Sequence, residues 1–130
     1  MGEEIKKYLG IDWGMVRIGL SFGDSENKTA TPLGVVYDIE GIIRIVKSEE
    51  IDEIVLGNPL SIADHSLPLS KDFENFVSAF KEKVNLPINF IDERFSSLAA
   101  DALDGNKKTK ASRDAVAAML ILQQFFDEKN

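Results

Sequence analysis

Asp12 is the first residue whose setting suggests chemistry. It lies in an apolar stretch that alternates like a β-strand, and Gly10 and Gly14 share its face. Because burying a lone carboxylate is costly, Asp12 must be paired, bind a metal or lie at an opening. The two glycines leave room for a metal ion or a phosphate backbone. The alternative is a strand-end aspartate whose oxygens accept backbone N–H bonds, and these residues alone favour neither.

Two further acidic residues lie at the ends of predicted elements later in the chain. Glu93 comes at the end of the fifth predicted strand, and sites in open α/β sheets collect at the carboxyl ends of strands. Asp114 lies in the first turn of the last predicted helix. Each also has a purely structural interpretation. Glu93 fits a solvated charged turn, and an acid at the position of Asp114 complements the helix dipole by about 0.3–1 kcal/mol.

The three carboxylates together are stronger evidence for a metal site than any one of them, because they fall on three separate elements. We expect the sheet to bring Asp12, Glu93 and Asp114 to one edge. Carboxylates without histidine or cysteine are hard oxygen ligands that suit Mg²⁺ or Mn²⁺, and a divalent cation relieves their mutual repulsion. Such a site can activate a water and stabilise the leaving oxygen in phosphodiester hydrolysis. The sequence therefore predicts that all three bind metal and are catalytic.

A basic cluster immediately precedes Asp114 and contains no acid. Its members are Lys107, Lys108, Lys110 and Arg113. We expect a positive loop beside the acidic site that holds a phosphate backbone. Arg17 and Arg94 either extend this nucleic-acid-binding surface or pair with nearby acids. The alternative is a solvated lysine loop.

Composition narrows the classes of protein. A chain of 130 residues can bury a sufficient core without disulfides or structural metal, and we expect residues 1–130 to form a single domain. With no cysteine, signal peptide or membrane-spanning apolar run, the sequence favours the cytoplasm and no membrane partner. The net charge of −7 is unusual for a nucleic-acid binder, so phosphate contacts must be local. His65 has no nucleophilic serine pattern around it, which argues against triad chemistry.

The predicted elements run in the order β-β-β-α-β-α-β-α-α. Strands are predicted at 8–14, 17–22, 30–37, 53–57 and 87–92. Helices are predicted at 39–46, with Asp38 as N-cap, and at 69–84, 97–103 and 113–126. The first three strands form an antiparallel meander, and the later helical crossovers form parallel pairs. We therefore expect an α/β fold with a mixed five-stranded sheet and helices on both faces, as in a ribonuclease H-like domain.

Taken together, the motifs also resemble a known family. In chain order they are Leu-Gly-Ile-Asp12-Trp-Gly, Arg17-Ile-Gly, Ala30-Thr-Pro-Leu, Val55-Leu-Gly-Asn-Pro-Leu, Asp92-Glu93-Arg94-Phe-Ser-Ser, Lys107-Lys108 and Asp114-Ala-Val-Ala-Ala. This order is similar to that of the YqgF family, also called the RuvX or pre-16S ribosomal RNA nuclease family, over nearly the whole chain. The loop from Ser61 to Pro68 departs from the family pattern.

The resemblance implies a ribonuclease H-like fold related to Holliday junction resolvases, and a role in trimming the 5′ end of the small-subunit ribosomal RNA precursor. The family's three acidic positions match Asp12, Glu93 and Asp114. We therefore expect a cytoplasmic Mg²⁺- or Mn²⁺-dependent nuclease whose partners are ribosomal RNA precursor and the pre-ribosomal particle.

Three alternatives differ in function. The first is a resolvase of branched DNA that uses the same acidic site, which requires a two-fold dimer to cut two strands symmetrically. The second is a non-catalytic nucleic-acid- or ribosome-binding module, and the presence of all three acids argues against it. The third is an actin-like ATPase, which needs a second lobe that a chain of this length does not supply.

Overall fold

The computed structural model describes residues 4–58, 68–92 and 110–129. These residues form a sheet from β1 (Lys7–Asp12), β2 (Ile18–Asp24), β3 (Thr31–Val36), β4 (Glu53–Asn58) and β5 (Ile88–Asp92). The spatial order is β3-β2-β1-β4-β5. Strand β2 pairs antiparallel with both β1 and β3, whereas β4 pairs parallel with both β1 and β5. The predicted mixed sheet, with its meander and two parallel strands, is confirmed.

Helices cover both faces of this sheet, as predicted. They are α1 (Ile39–Ser48), α2 (Pro68–Lys83) and α3 (Lys110–Lys129). Asp38 is the N-cap of α1, where its carboxylate accepts a hydrogen bond of 2.9 Å from the backbone N–H of Gly41. The predicted short helix at 97–103 lies outside the described residues. No helix within the described ranges is both long enough and apolar enough to span a membrane.

Two apolar clusters occupy the two sides of the sheet. On one side, Leu9 and Ile11 of β1 are fully buried in a cluster with Ile42 of α1 and the aromatic stripe of α2. That stripe consists of Phe73, Phe76 and Phe80. On the other side, residues of β4, β5 and α3 form the second cluster, whose larger members are Val55, Ile91, Ile121, Leu122, Phe125 and Phe126. The three aromatic residues of this stripe are therefore part of the core.

Helix α3 lies unusually close to strands β1 and β2, along a contact that we call the α3 seam. It is formed by Gly10, Gly19 and Ser21 on the sheet. A Cβ atom at Gly10 would lie 2.8 Å from Cβ of Leu122, and one at Gly19 would overlap the backbone of Asp114. The fully buried Ser21 hydroxyl donates a hydrogen bond of 2.8 Å to the carbonyl oxygen of Ala118. Small side chains thus let the helix backbone rest directly on the sheet.

Candidate active site

Asp12 is the last residue of β1 and lies on the α3 side of the sheet. Gly10, two positions before Asp12, contacts α3. Tyr8, four positions before Asp12, also faces α3, because its ring centroid lies 5.3 Å from that of Phe125. Because alternate residues of a strand share a face, Asp12 faces the same side. The strand ends at Asp12 rather than at the predicted Gly14. Asp12 is half-buried at the edge of the sheet that is formed by the carboxyl ends of the parallel strands.

Asp114 reaches the same edge through the α3 seam. Helix α3 runs antiparallel to β1, since Phe125 contacts Tyr8 whereas Leu122 contacts Gly10. The backbone of Asp114 rests on Gly19, and Gly19 pairs with Asp12 across the antiparallel β1–β2 ladder. Paired residues in such a ladder have Cα atoms about 4.5–5.5 Å apart. The structure therefore brings Asp12 and Asp114 to one end of the seam, with Gly19 between their backbones.

Arg17 forms an ion pair with Asp114. The Nε–H of Arg17 donates to Oδ2 of Asp114 over 2.6 Å, and each side chain is 29% exposed. Of the two outcomes predicted for Arg17, pairing with a nearby acid is the one that this structure contains. Its role in binding nucleic acid remains a prediction. Within the described part of the chain, Oδ1 of Asp114 has no hydrogen-bond partner.

The parallel strands end at this same edge. Ile11 lies level with Leu56 of β4, and Asn58 at the end of β4 lies level with Asp92 at the end of β5. Gln124 of α3 also reaches this edge, where its Nε2 donates to the carbonyl oxygen of Asp92 over 3.1 Å. Glu93 directly follows Asp92 in the chain but lies outside the described residues.

The other predicted site residues divide into two groups. Arg113 is exposed and immediately precedes Asp114, so it lies at the edge that carries the acids. Lys110 begins α3, although its side chain is not described. The other predicted nucleic-acid-binding residues, Arg94, Lys107 and Lys108, lie outside the described residues, and so does His65. Their predicted roles in binding nucleic acid, and the absence of a role for His65 in catalysis, remain predictions.

The donor chemistry at this edge suits a hard divalent cation. Asp12 and Asp114 contribute carboxylate oxygens, of which Oδ1 of Asp114 has no partner among the described residues. Oxygen donors of this kind are the ligands that Mg²⁺ and Mn²⁺ prefer. With Glu93 outside them, the described ranges contain no group of three or more His, Cys, Asp or Glu side chains that could hold a metal. The two described carboxylates therefore fit part of the predicted ligand set.

Gly19 and Ser21 position the site, and their importance was not predicted. Both lie on the α3 side of β2, where Gly19 contacts the backbone of Asp114 and Ser21 binds the carbonyl oxygen of Ala118. The signal that could have found them is the alternation Gly19-Leu-Ser21-Phe-Gly23, which places only small residues on one face of a strand. Such a face indicates that another backbone approaches closely.

Comparison with known proteins identifies the family. The family model described as RuvX, Holliday junction resolvase, matches residues 6–128. A protein of Dictyoglomus turgidum named "Putative pre-16S rRNA nuclease" is 36% identical, and the match covers 93% of this chain and 94% of that protein. A protein of Maridesulfovibrio salexigens with the same name is 32% identical, and the match covers 90% of this chain and 95% of that protein.

Solved structures with low sequence identity share the fold. Thermus thermophilus RuvC in complex with a Holliday junction substrate superposes with a TM-score of 0.61 at 14% identity, over 95% of both chains. Fowlpox virus resolvase in complex with Holliday junction DNA gives a TM-score of 0.59 at 11% identity, over 95% of this chain and 98% of that one. These matches confirm the predicted ribonuclease H-like α/β fold.

The names of the family and of its relatives support a nuclease function for this chain, as the motifs predicted. The family match extends over nearly the whole sequence and includes Asp12 at the end of β1, Arg17 just before β2 and Asp114 in α3. The chain belongs to the RuvX family of Holliday junction resolvases.

Proposed function

We propose that this protein is a divalent-metal-dependent nuclease that hydrolyses phosphodiester bonds in pre-16S ribosomal RNA. The observation that carries the proposal is the meeting of Asp12 and Asp114 at one sheet edge, through the contact of α3 with Gly19. The names of the curated relatives support this choice of substrate. We further propose that residues 1–130 act as one domain, in the cytoplasm.

Asp12, Glu93 and Asp114 are the proposed ligands of Mg²⁺ or Mn²⁺. When bound, the cation would lower the pKa of a coordinated water and stabilise negative charge on the leaving oxygen. The protein's part is to hold the carboxylates in place before substrate arrives. Asp12 is carried by the end of β1, and Asp114 by a helix whose backbone rests on β2. Carboxylates mounted on regular elements are held more rigidly than carboxylates on loops.

The basic residues next to Asp114 are the proposed contacts to the phosphate backbone. Arg113 is exposed beside Asp114, and Lys110 lies one turn earlier on α3. Together with Lys107, Lys108 and Arg94, they would give a local positive surface on a chain whose net charge is −7. Such contacts position the backbone near the carboxylates and carry no base specificity. Sequence preference would then have to come from the shape of the RNA or from a pre-ribosomal particle.

Resolution of Holliday junctions is the second candidate function. The description of the family model favours it, and the structural neighbours include two resolvases solved with junction DNA. The same acidic site could serve both reactions, because RNA and DNA share the phosphodiester linkage. Symmetric cleavage of a junction requires a two-fold dimer, whereas trimming one RNA end does not. A protein that is only monomeric in solution would therefore count against resolution of junctions.

A cleavage assay with paired substrates tests the proposal. The purified protein is incubated with an RNA that spans the 5′ end of 16S rRNA in its precursor, and with a four-way DNA junction, in Mg²⁺, Mn²⁺ or EDTA. We expect RNA cleavage that EDTA stops and that Asp12→Asn abolishes, because the amide keeps the shape of the side chain but loses its charge. Asp127→Asn is the matched control, since Asp127 is an exposed residue near the far end of α3.

Three outcomes would contradict the proposal. An Asp12→Asn protein that stays folded and cleaves RNA at the wild-type rate would show that Asp12 is not a metal ligand. Cleavage of the junction alone, by a protein that is dimeric in solution, would instead assign the site to resolution of branched DNA. Binding of RNA without cleavage of either substrate would indicate the non-catalytic module.

A further inference from the structure

The ion pair between Arg17 and Asp114 links the start of β2 to the first turns of α3 across 97 positions of sequence. Arg17 directly precedes β2, which begins at Ile18 and is held in the middle of the sheet between β1 and β3. Its guanidinium therefore projects from a well-anchored backbone. The bond of 2.6 Å is as short as the shortest charge-assisted hydrogen bonds, which for N–H···O⁻ pairs are typically about 2.7–2.9 Å. This contact is the one that fixes the Asp114 side chain among the described residues.

The two carboxylate oxygens of Asp114 have different surroundings. Oδ2 accepts from Arg17 Nε, whereas Oδ1 has no hydrogen-bond partner among the described residues. A free aspartate side chain rotates about χ1 and χ2, so its oxygens exchange places readily. The guanidinium restricts this rotation because it is planar and its N–H groups have fixed directions. Arg17 thus holds one oxygen and leaves the other available.

We propose that Arg17 is a positioning residue, which holds Oδ2 of Asp114 so that Oδ1 is presented to the divalent cation. This inference rests on the proposed function, in which Asp114 is a metal ligand. In this role Arg17 acts through Asp114 and needs no contact with the cation or the reacting phosphate. Hydrogen-bond partners that orient metal-binding carboxylates commonly change metal affinity by 10–100-fold when they are removed.

Two other roles for Arg17 predict a different effect of its removal on Mn²⁺ affinity. If Arg17 were only a counter-ion that the cation displaces, removing it would strengthen metal binding, because a competing positive charge would be gone. If Arg17 were only a phosphate ligand, its removal would leave metal binding unchanged in the absence of nucleic acid. The affinity for Mn²⁺, measured without substrate, therefore separates all three roles by its direction of change.

The test is isothermal titration calorimetry, in which Mn²⁺ is added to the full chain at pH 7 without nucleic acid. We expect Arg17→Gln to weaken Mn²⁺ binding by about tenfold or more. Arg17→Lys should recover part of this loss, because lysine keeps the charge but lacks the planar group that restricts Asp114. Arg44→Gln is the matched control, since Arg44 is exposed on α1 and α1 covers the opposite face of the sheet. It should bind Mn²⁺ like the wild type.

A double-variant cycle ties the effect to Asp114. In the Asp114→Asn background, Arg17→Gln should weaken Mn²⁺ binding no further, because the carboxylate that Arg17 orients is absent. An additional loss equal to that in the wild type would overturn the proposal, as would unchanged or tighter binding by Arg17→Gln alone. Circular dichroism and the emission of Trp13, the single tryptophan, verify that each variant is folded. If Arg17→Gln does not fold, Arg17→Met retains the apolar stem and carries the same expectation.

The reference variant Asp114→Asn separates this inference from the proposed function. Equal Mn²⁺ affinity in the wild type and Asp114→Asn would remove Asp114 from the ligand set and overturn both proposals. A clear loss in Asp114→Asn, combined with wild-type affinity in Arg17→Gln, would leave the proposed metal site intact and overturn only the role of Arg17.

Discussion

Replacing Gly19 by alanine should disrupt the site without removing any of its functional groups. Gly19 lies between the backbones of Asp12 and Asp114, and it has no side chain because the first turns of α3 occupy that space. A Cβ atom there would lie 2.5 Å from the carbonyl carbon of Asp114 and would overlap its oxygen. The obstacle is helix backbone, which cannot rotate away as a flexible side chain would. The N-terminal part of α3 must therefore move off the sheet.

The size of the effect follows from this overlap. Ordinary carbon contacts begin near 3.4 Å, so the helix start must retreat by about 1 Å. Overpacking of this kind costs typically about 1–3 kcal/mol of unfolding free energy. For a chain of this length, that lowers Tm by roughly 4 °C per kcal/mol. A displacement of about 1 Å in a catalytic group can reduce turnover by about 100-fold, so we expect the loss of activity to exceed the loss of stability.

Gly23→Ala provides the matched control for this experiment. Gly23 lies on the same face of β2, where a Cβ atom would approach Phe126 at 2.9 Å and the carbonyl oxygen of Thr29 at 2.8 Å. This substitution also crowds α3, but at the end far from Asp114. We expect it to lower Tm while leaving kcat close to the wild-type value. Thermal denaturation and cleavage of the precursor RNA, measured on both variants well below their Tm, give the comparison.

The reasoning would be refuted if Gly19→Ala and Gly23→Ala lost stability and activity in the same proportion. Activity would then follow the overall stability of the fold, and the position of Asp114 would not depend on the contact at Gly19. Wild-type turnover by a destabilised Gly19→Ala protein would refute it equally.

Two more predictions concern the metal and the basic cluster. Millimolar Mn²⁺ should raise Tm because it binds the native state. At 100 times Kd, this binding adds about 2.7 kcal/mol to the free energy of unfolding. Asp12→Asn or Glu93→Gln should remove the rise in Tm, which is measured by calorimetric melts. An equal rise in both variants would place the bound metal elsewhere. For single-stranded RNA, the association constant falls with salt, and replacing Lys107 and Lys108 by alanine should reduce the steepness of log K against log[salt] by about 1.4. The measurement is fluorescence anisotropy in Ca²⁺, which suppresses cleavage. An unchanged slope would make these lysines a solvated loop.

Much of the fold could be predicted because its signals are local. The spacing of Ile39, Ile42, Ile43 and Val46 behind Asp38 predicted α1, and the structure has both the helix and the cap. The alternation around Ile11 predicted β1 but extended it to Gly14, two residues beyond its end. The alternation of residue types continues past Asp12, whereas the β1–β2 ladder ends at the pair formed by Asp12 and Gly19.

The site could be predicted only as far as topology determines it. A meander followed by parallel crossovers brings the ends of β1, β4 and β5 to one edge, so the location of Asp12 followed from the order of elements. The partner of Arg17 did not follow. It depends on how α3 crosses the sheet, and that is determined by contacts such as Ser21 with Ala118, which join residues 97 positions apart. Periodicity within a single strand or helix carries no information about such pairs.

The α3 seam has a consequence for how the site can fail. Helix α3 contacts the sheet at Asp114 and Ala118, one turn apart, above Gly19 and Ser21, two strand residues apart. Four helical residues rise about 6 Å and two strand residues about 6.6 Å, so the spacing of these two helix residues nearly matches that of the two strand residues beneath them. A slide of one turn would bring Ala118 over Gly19, leaving the edge without its second carboxylate. If a variant lets α3 slip by one turn along the α3 seam, the slipped molecules lack this carboxylate. We therefore expect the active fraction of such a variant to fall while the turnover of each molecule in the native register stays constant.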